Sequence, residues 1–293
     1  MFRVLLTGAK GQLGSLLLEY LREAGCEVKG GDVGELDITD LESVMRNQDW
    51  SPDIIVNAAA YTAVDNAESE EELAYAVNAL GVKNLLVLSQ ELKSPLINVS
   101  TDYVFDGQAS SPYRVEEKTS PLGVYGRTKR AGEEFLEASD HSFINIRTSW
   151  VFGENGNNFV KTMLRLGKDR DSLSIVADQR GCPTYAGDLA KAILVIVHRY
   201  RNDGFFANGH YHFCGNEEVS WFEFAETIFE VANAAGVLKR RPTLTPIPTS
   251  EYPTPAARPA YSVLDCSKIS GVYDIEPSDW NNALNKIIPE ILI

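Results

Sequence analysis

Phe2 to Leu6, then Thr7-Gly8-Ala9-Lys10-Gly11-Gln12-Leu13-Gly14, then Leu16, Leu17, Leu18 and Leu21 form the stretch on which the fold turns. A short apolar run that breaks into glycines and resumes at helical spacing reads as strand, tight turn, helix. Glycines let the backbone turn sharply and let an anion reach the helix N-terminus, where free N–H groups and the dipole favour negative charge. The spacing is Gly-x-x-Gly-x-x-Gly rather than the tighter Gly-x-Gly-x-x-Gly. Alone it is compatible with a purely structural turn; closing a first strand and opening a helix, it predicts a dinucleotide site at the turn of Gly8, Gly11 and Gly14.

Outward from that turn, Val28 to Gly31 reads as a second strand ending at Asp32. A carboxylate there suits adenosine ribose hydroxyls and repels a 2′-phosphate, whereas Lys10 leans the other way, so NADH against NADPH stays open. Ile54 to Ala60 is a buried strand running into small residues, Glu70 to Gln90 is a long helical stretch, and Leu96 to Val99 is a strand closing in Ser100-Thr101-Asp102-Tyr103. An irregular segment with Pro112 and Pro121 precedes the helix bearing Tyr125, and Phe143 to Ile146 is a further strand. Strands alternating with helices through residue 150 predict an α/β fold with a Rossmann-type doubly wound parallel sheet. Residues 151–293 are expected to form mostly a smaller, interleaved substrate part, with about 186–216 rejoining the first domain. The six prolines of residues 241–259 predict largely extended loop.

Lys plus Arg is 27 against 41 Asp plus Glu, a net charge of -14, which argues against nucleic acid or an anionic membrane as partner. The four cysteines have no Cys-x-x-Cys spacing and read as reduced thiols. The chain enters a strand at once and has no run of about 18 apolar residues, so a cytoplasmic protein is expected, as monomer or homodimer.

Tyr125-Gly-Arg-Thr-Lys129 places a phenol and an ammonium one turn apart on one helix face. A nearby cation favours the phenolate, so Tyr125 can hand a proton to a carbonyl oxygen while a hydride arrives at carbon. No other tyrosine here has a lysine at that spacing. An exposed helix carries the same pair without function. Thr101, at the end of a central strand, can donate a third hydrogen bond to a substrate oxygen or merely cap a backbone group. His210, His212 and Cys214 alternate as soft-metal ligands would, but no fourth ligand is apparent, and packing is the expected role.

With these residues in view, the chain is similar over essentially its whole length to the extended short-chain dehydrogenase/reductase family, through Thr-Gly-x-x-Gly-x-x-Gly, Tyr-x-x-x-Lys and the upstream Thr. Within it, Val56 to Asp65, Ser100 to Gly107, Arg147 to Gly153, Asn157 to Arg165 and Tyr252 to Pro259 resemble the dTDP-4-dehydrorhamnose reductases. The resemblance implies NAD(P)H-dependent reduction of the 4-keto group of dTDP-4-dehydro-L-rhamnose, with cofactor contacts at Gly11, Gln12, Leu13, Asp32, Asp37, Ile38, Ala60, Tyr61, Thr62, Val99, Tyr125 and Lys129. It implies sugar contacts at Thr101, Asp102, Tyr103 and Trp150. Trp150 is also readable as core, and Arg258 either grips a diphosphate or is a loop charge. Dehydratases of the family carry an acid where Tyr103 stands, so water elimination is not expected; 4-epimerases are excluded less firmly. Some rhamnose reductases are described with magnesium at a dimer contact, but no carboxylate cluster matches that role and no site metal is expected. The competing reading is a non-catalytic regulatory subunit resembling methionine adenosyltransferase beta, which shares Asp102 to Gly107 but not the Arg147 and Asn157 runs.

Overall fold

The structure, a computed structural model, describes residues 1–291. Its first half alternates β1 (Arg3–Thr7), α1 (Gln12–Glu23), β2 (Glu27–Gly31), α2 (Leu41–Met45), β3 (Ile54–Asn57), α3 (Val64–Ala67), α4 (Glu71–Tyr75), α5 (Gly81–Leu92), β4 (Leu96–Thr101), α6 (Val124–Glu137) and β5 (Phe143–Thr148). The second half comprises β6 (Val151–Phe152), α7 (Phe159–Asp169), β7 (Ser172–Val176), β8 (Arg180–Gly181), β9 (Thr184–Tyr185), α8 (Ala186–Asp203), β10 (Gly209–His212), β11 (Val219–Ser220), α9 (Trp221–Ala234), β12 (Thr243–Ile247), α10 (Ser267–Tyr273) and α11 (Trp280–Ile287).

Six strands pair in the order β10-β5-β4-β3-β1-β2, and every pairing is parallel. The chain leaves β1 for β2 on one side and crosses to β3 on the other, so the strand order reverses between β1 and β3. A crevice at such a reversal, outside the carboxyl ends of the strands, is where α/β sheets bind ligands. Alternate side chains supply the two cores. Val4 and Leu6 point to the face covered by α1 and α8, with Leu17, Leu21, Ile193 and Ile196, while Leu5 and Ile55 point to the face covered by α5 and α6, with Leu85, Leu88 and Leu136. Burial on both faces explains why these strands read as unbroken apolar runs.

A separate apolar cluster joins α7, α9 and α11 through Val160, Leu164, Phe224, Ile228, Phe229 and Leu284. Asn158 caps α7 by accepting from Lys161 N (3.1 Å), and Ser220 and Glu223 form a reciprocal capping box on α9. The proline-rich stretch departs from expectation: Thr243–Ile247 is a strand, β12, paired in parallel with β7. Both strands of a two-stranded ribbon are edges, and edges tolerate a proline such as Pro246.

Polar side chains cross the apolar sheet in one unbroken line. Thr7 Oγ1 donates to Asn57 Oδ1 (2.6 Å), Asn57 to Asn98 (2.8 Å), Asn98 to Asn145 (2.7 Å), and Asn145 to Glu133 Oε1 on α6 (3.0 Å). All five residues are at most 2% exposed, and each buried donor has its acceptor. The line ties the strand that carries the glycine turn to the helix that carries Tyr125 and Lys129. Among the described residues no helix is long and apolar enough to cross a membrane.

Candidate active site

A cleft of about 870 Å³ opens at the carboxyl ends of β1, β3 and β4. The glycine turn forms one wall. Gly8 has φ +65°, and a Cβ there would lie 2.6 Å from Ala59 N; a Cβ on Gly14 would lie 2.0 Å from Gly8 O. Both positions therefore require glycine, the first for its conformation and the second for close approach of turn and helix. Gly11 precedes α1 without a side-chain cap, so the first-turn N–H groups stay available to an anion. That cradle fits a dinucleotide pyrophosphate.

Of the residues singled out from sequence, Gly8, Gly11, Gln12, Leu13, Asp32, Asp37, Ile38, Ala60, Tyr61, Thr62, Val99, Thr101, Asp102, Tyr103, Tyr125, Lys129 and Trp150 all line this cleft. Gly14 and Arg258 do not. Asp32 accepts from Lys10 N (3.2 Å) and Val33 N (3.0 Å), while the Lys10 ammonium turns to Glu35 (2.9 Å). Arg258 binds Asp65 (2.8 Å) and lies 5.9 Å from the Tyr103 ring centre, with Nη1 buried and unpartnered.

Thr101 Oγ1 accepts from Tyr103 N (3.2 Å), donates to Asp102 Oδ1 (3.0 Å) and shares a hydrogen bond with Tyr125. Tyr103 packs edge-on against Tyr125 with ring centres 5.5 Å apart. Burial pushes the Asp102 carboxyl up to about 6, against the hydroxyls of Ser262 and Thr101, and its Oδ2 is buried without a hydrogen-bond partner. The pair on α6 differs from the simple spacing argument. Lys129 Nζ donates to Val99 O at 2.6 Å, and burial holds the Tyr125 phenol well above its usual range, with only Thr101 opposing. The reason is that α6 lies on β4, whose carbonyl offers the buried ammonium the acceptor it must have. Burial also lowers Lys129 to about 8, against the pull of Glu133.

Trp150, at φ +48°, stacks on Trp221 with ring centres 3.5 Å apart, so the indole both lines the cleft and belongs to the second core. Sequence reasoning missed Thr148, whose buried Oγ1 is unpartnered on the cleft wall, and Asn78. Asn78 sits in a π-helical turn, Ala76–Leu80, between α4 and α5. It accepts from Tyr61 N (2.9 Å) and donates to Tyr61 O (3.1 Å) and Thr128 Oγ1 (3.1 Å), clamping the loop of Ala60 to Thr62 onto α6. Its place inside a helical run concealed it. His210 and His212 lie on β10 but face different partners, Glu137 (3.0 Å) and Tyr113 O (3.0 Å), and Cys214 falls beyond the strand. Glu133, Glu137 and His210 bring one ligand atom each within 4.8 Å, yet Arg147 and Arg130 already bind both carboxylates.

A doubly wound parallel sheet with a glycine turn at its switch point and a Tyr-x-x-x-Lys helix on the same cleft defines an oxidoreductase of the short-chain dehydrogenase/reductase class. The chain belongs to the family described as RmlD substrate binding domain, which matches residues 2–293. A dTDP-4-dehydrorhamnose reductase of Aggregatibacter actinomycetemcomitans is 48% identical over 98% of this chain and 98% of its own. A solved dTDP-4-dehydrorhamnose reductase of Clostridium acetobutylicum has a TM-score of 0.91 at 36% identity, covering 100% of both chains. One from Bacillus anthracis, in complex with NADP, has a TM-score of 0.90 at 40% identity, covering 99% of this chain and 100% of that one.

Proposed function

We propose that this protein reduces the 4-keto group of dTDP-4-dehydro-L-rhamnose to give dTDP-L-rhamnose, with a reduced nicotinamide dinucleotide as co-substrate. The observation that carries the reading is convergence: the uncapped glycine turn and Thr101, Tyr125 and Lys129 share one cleft. The names of its relatives supply the sugar nucleotide. When bound, the dinucleotide supplies the hydride; the chain's residues do the rest. Gly8 and Gly11 receive the pyrophosphate, and Asp32 accepts from the adenosine ribose. Thr101 orients the substrate carbonyl, and Tyr125 donates the proton that the developing alkoxide needs. Held high by burial, the phenol stays protonated and ready to donate at neutral pH. The Lys129 ammonium, one helical turn beyond Tyr125, holds ribose hydroxyls and so seats the nicotinamide beside the phenol. The orphaned Oδ2 of Asp102 and Oγ1 of Thr148 await polar groups of the ligands.

The Bacillus anthracis relative holds NADP, whereas Asp32 at the end of β2 disfavours a 2′-phosphate, so both NADPH and NADH are candidate donors. Residues 1–150 with 186–216 would hold the dinucleotide, and most of 151–293 the sugar nucleotide. The test is to mix the protein with NADPH, and separately NADH, plus the keto sugar nucleotide, following nicotinamide absorbance and rhamnose product. Tyr125→Phe is expected to bind cofactor normally and lose about 10²–10⁴-fold in turnover. Undiminished turnover in that variant excludes Tyr125 as the acid, and bound cofactor with no oxidation in the wild type favours a regulatory role.

A further inference from the structure

Three of the four cysteines meet away from the cleft. Cys182 lies between β8 and β9, Cys214 just after β10, and Cys266 just before α10, at 3%, 1% and 8% exposure. The Cys214 and Cys266 sulfurs are 3.6 Å apart, the backbone N–H of Cys214 donates to Cys266 Sγ at 3.3 Å, and the Cys182 thiol also contacts Cys214. Cys266 and Cys182 line a second, surface-open cavity of about 390 Å³, together with Arg114, Asn216 and Asp265; Cys214 stands behind that wall. None of these thiols lines the cleft of Tyr125. Cys26, the fourth, is equally buried at 6% but sits alone beside Arg201.

We propose that Cys266 and Cys214 form a modifiable thiol pair whose substrate is a small disulfide entering the second cavity. Cys266, on the cavity wall, attacks one sulfur of the incoming disulfide, giving a mixed disulfide and releasing one thiol. Cys214, in contact behind it, attacks the Cys266 sulfur, forming the Cys214–Cys266 bond and releasing the second thiol. The small disulfide is reduced to two thiols and the protein loses two hydrogens, so atoms and electrons balance. A cavity of this size lies within the range that takes small organic ligands, and its wall offers charge of both signs, Arg114 paired with Asp265 (3.8 Å) beside Glu218. The bridge would fasten the end of the sheet's edge strand to the start of α10 and close a long loop.

The thiolate is the attacking species, and its neighbours hold both thiols well above their ordinary range, Cys266 through Cys214 and burial, Cys214 through Cys182 and burial. The reaction is therefore slow at neutrality and should accelerate about tenfold per pH unit between 7 and 9. The test treats the full-length folded protein with oxidised glutathione, quenches with acid, alkylates, and reads intact mass and peptide map, with circular dichroism to confirm folding. Expected are loss of two thiols, a peptide pair joining Cys214 to Cys266, an upward shift in Tm, and untouched Cys26. Cys214→Ser should stop with one glutathione on Cys266. Retention of four thiols in protein still folded at pH 9 overturns the proposal. So does a bridge that maps to Cys182, or modification of Cys26 at the same rate, which would mean reaction through unfolding.

Discussion

Burying an ammonium costs more than one hydrogen bond returns, and Lys129 shows the consequence in its lowered affinity for a proton, about 8. Below that pH the side chain is charged; as pH rises through it, the charge is lost. In the proposed mechanism that charge holds the ribose hydroxyls, so turnover and dinucleotide affinity should decline together above pH 8. Tyr125 itself cannot set this limb, because burial holds its phenol far higher. We predict that kcat/KM is level up to about pH 8 and then falls roughly tenfold per unit, and that Lys129→Met removes the limb along with most activity. A wild-type profile level to pH 10 excludes the assignment. The Lys129–Val99 bond uses one of the ammonium's three N–H donors and leaves two to face the cleft.

At the scale of elements, the polar line from Thr7 to Glu133 is what registers the glycine turn against α6. Removing its middle member by Asn98→Leu strands an Asn57 donor and an Asn145 acceptor in the sheet interior. Two unsatisfied buried groups at about 1–3 kcal/mol each predict a loss of roughly 2–6 kcal/mol, measurable as a lower urea midpoint. A loss below 0.5 kcal/mol would mean that the line contributes nothing to the fold. This feature also marks where reading the sequence stops. Strand, turn and helix at Phe2 to Leu21 were legible because period and turn chemistry are local. Tyr125 and Lys129 were legible as a pair for the same reason, but the acceptor at Val99 was not, because it depends on how α6 lies on β4. Asn57, Asn98 and Asn145 each look like an ordinary strand residue, and only the crossover order brings them side by side. β12 was hidden by its prolines, which argue against a central strand and are silent about an edge.

For the whole molecule, buried ionisable groups of opposite sense set the response to acid. Burial, with Arg147 beside it, lowers His212 to about 3. The unfolded chain takes up that proton near the ordinary histidine value of about 6.5, so His212 contributes stability that is present above 6.5 and lost progressively toward 3. His210 is lowered as well, chiefly by burial, and acts in the same sense. Asp102 acts oppositely: raised to about 6, it holds a proton that the unfolded carboxyl releases above about 3.9, so stability rises as pH falls between those values. Glu133 joins only lower down. Burial would raise it, but Arg147 outweighs burial and holds it at about 2, so its contribution is lost as pH falls below about 4.5. Between about pH 6 and 4 their slopes, each about 1.4 kcal/mol per pH unit, oppose one another, so wild-type stability should sag only gently from pH 6.5 to 4.5 and then drop steeply. The variants separate the opposing effects. Asp102→Asn removes the compensation and should lose stability steeply from pH 6.5 downward, whereas His212→Phe should hold level or gain in the same window. Urea midpoints at pH 7, 5.5 and 4.5 read both outcomes, and parallel curves for wild type and the two variants would show that neither group titrates as its burial requires.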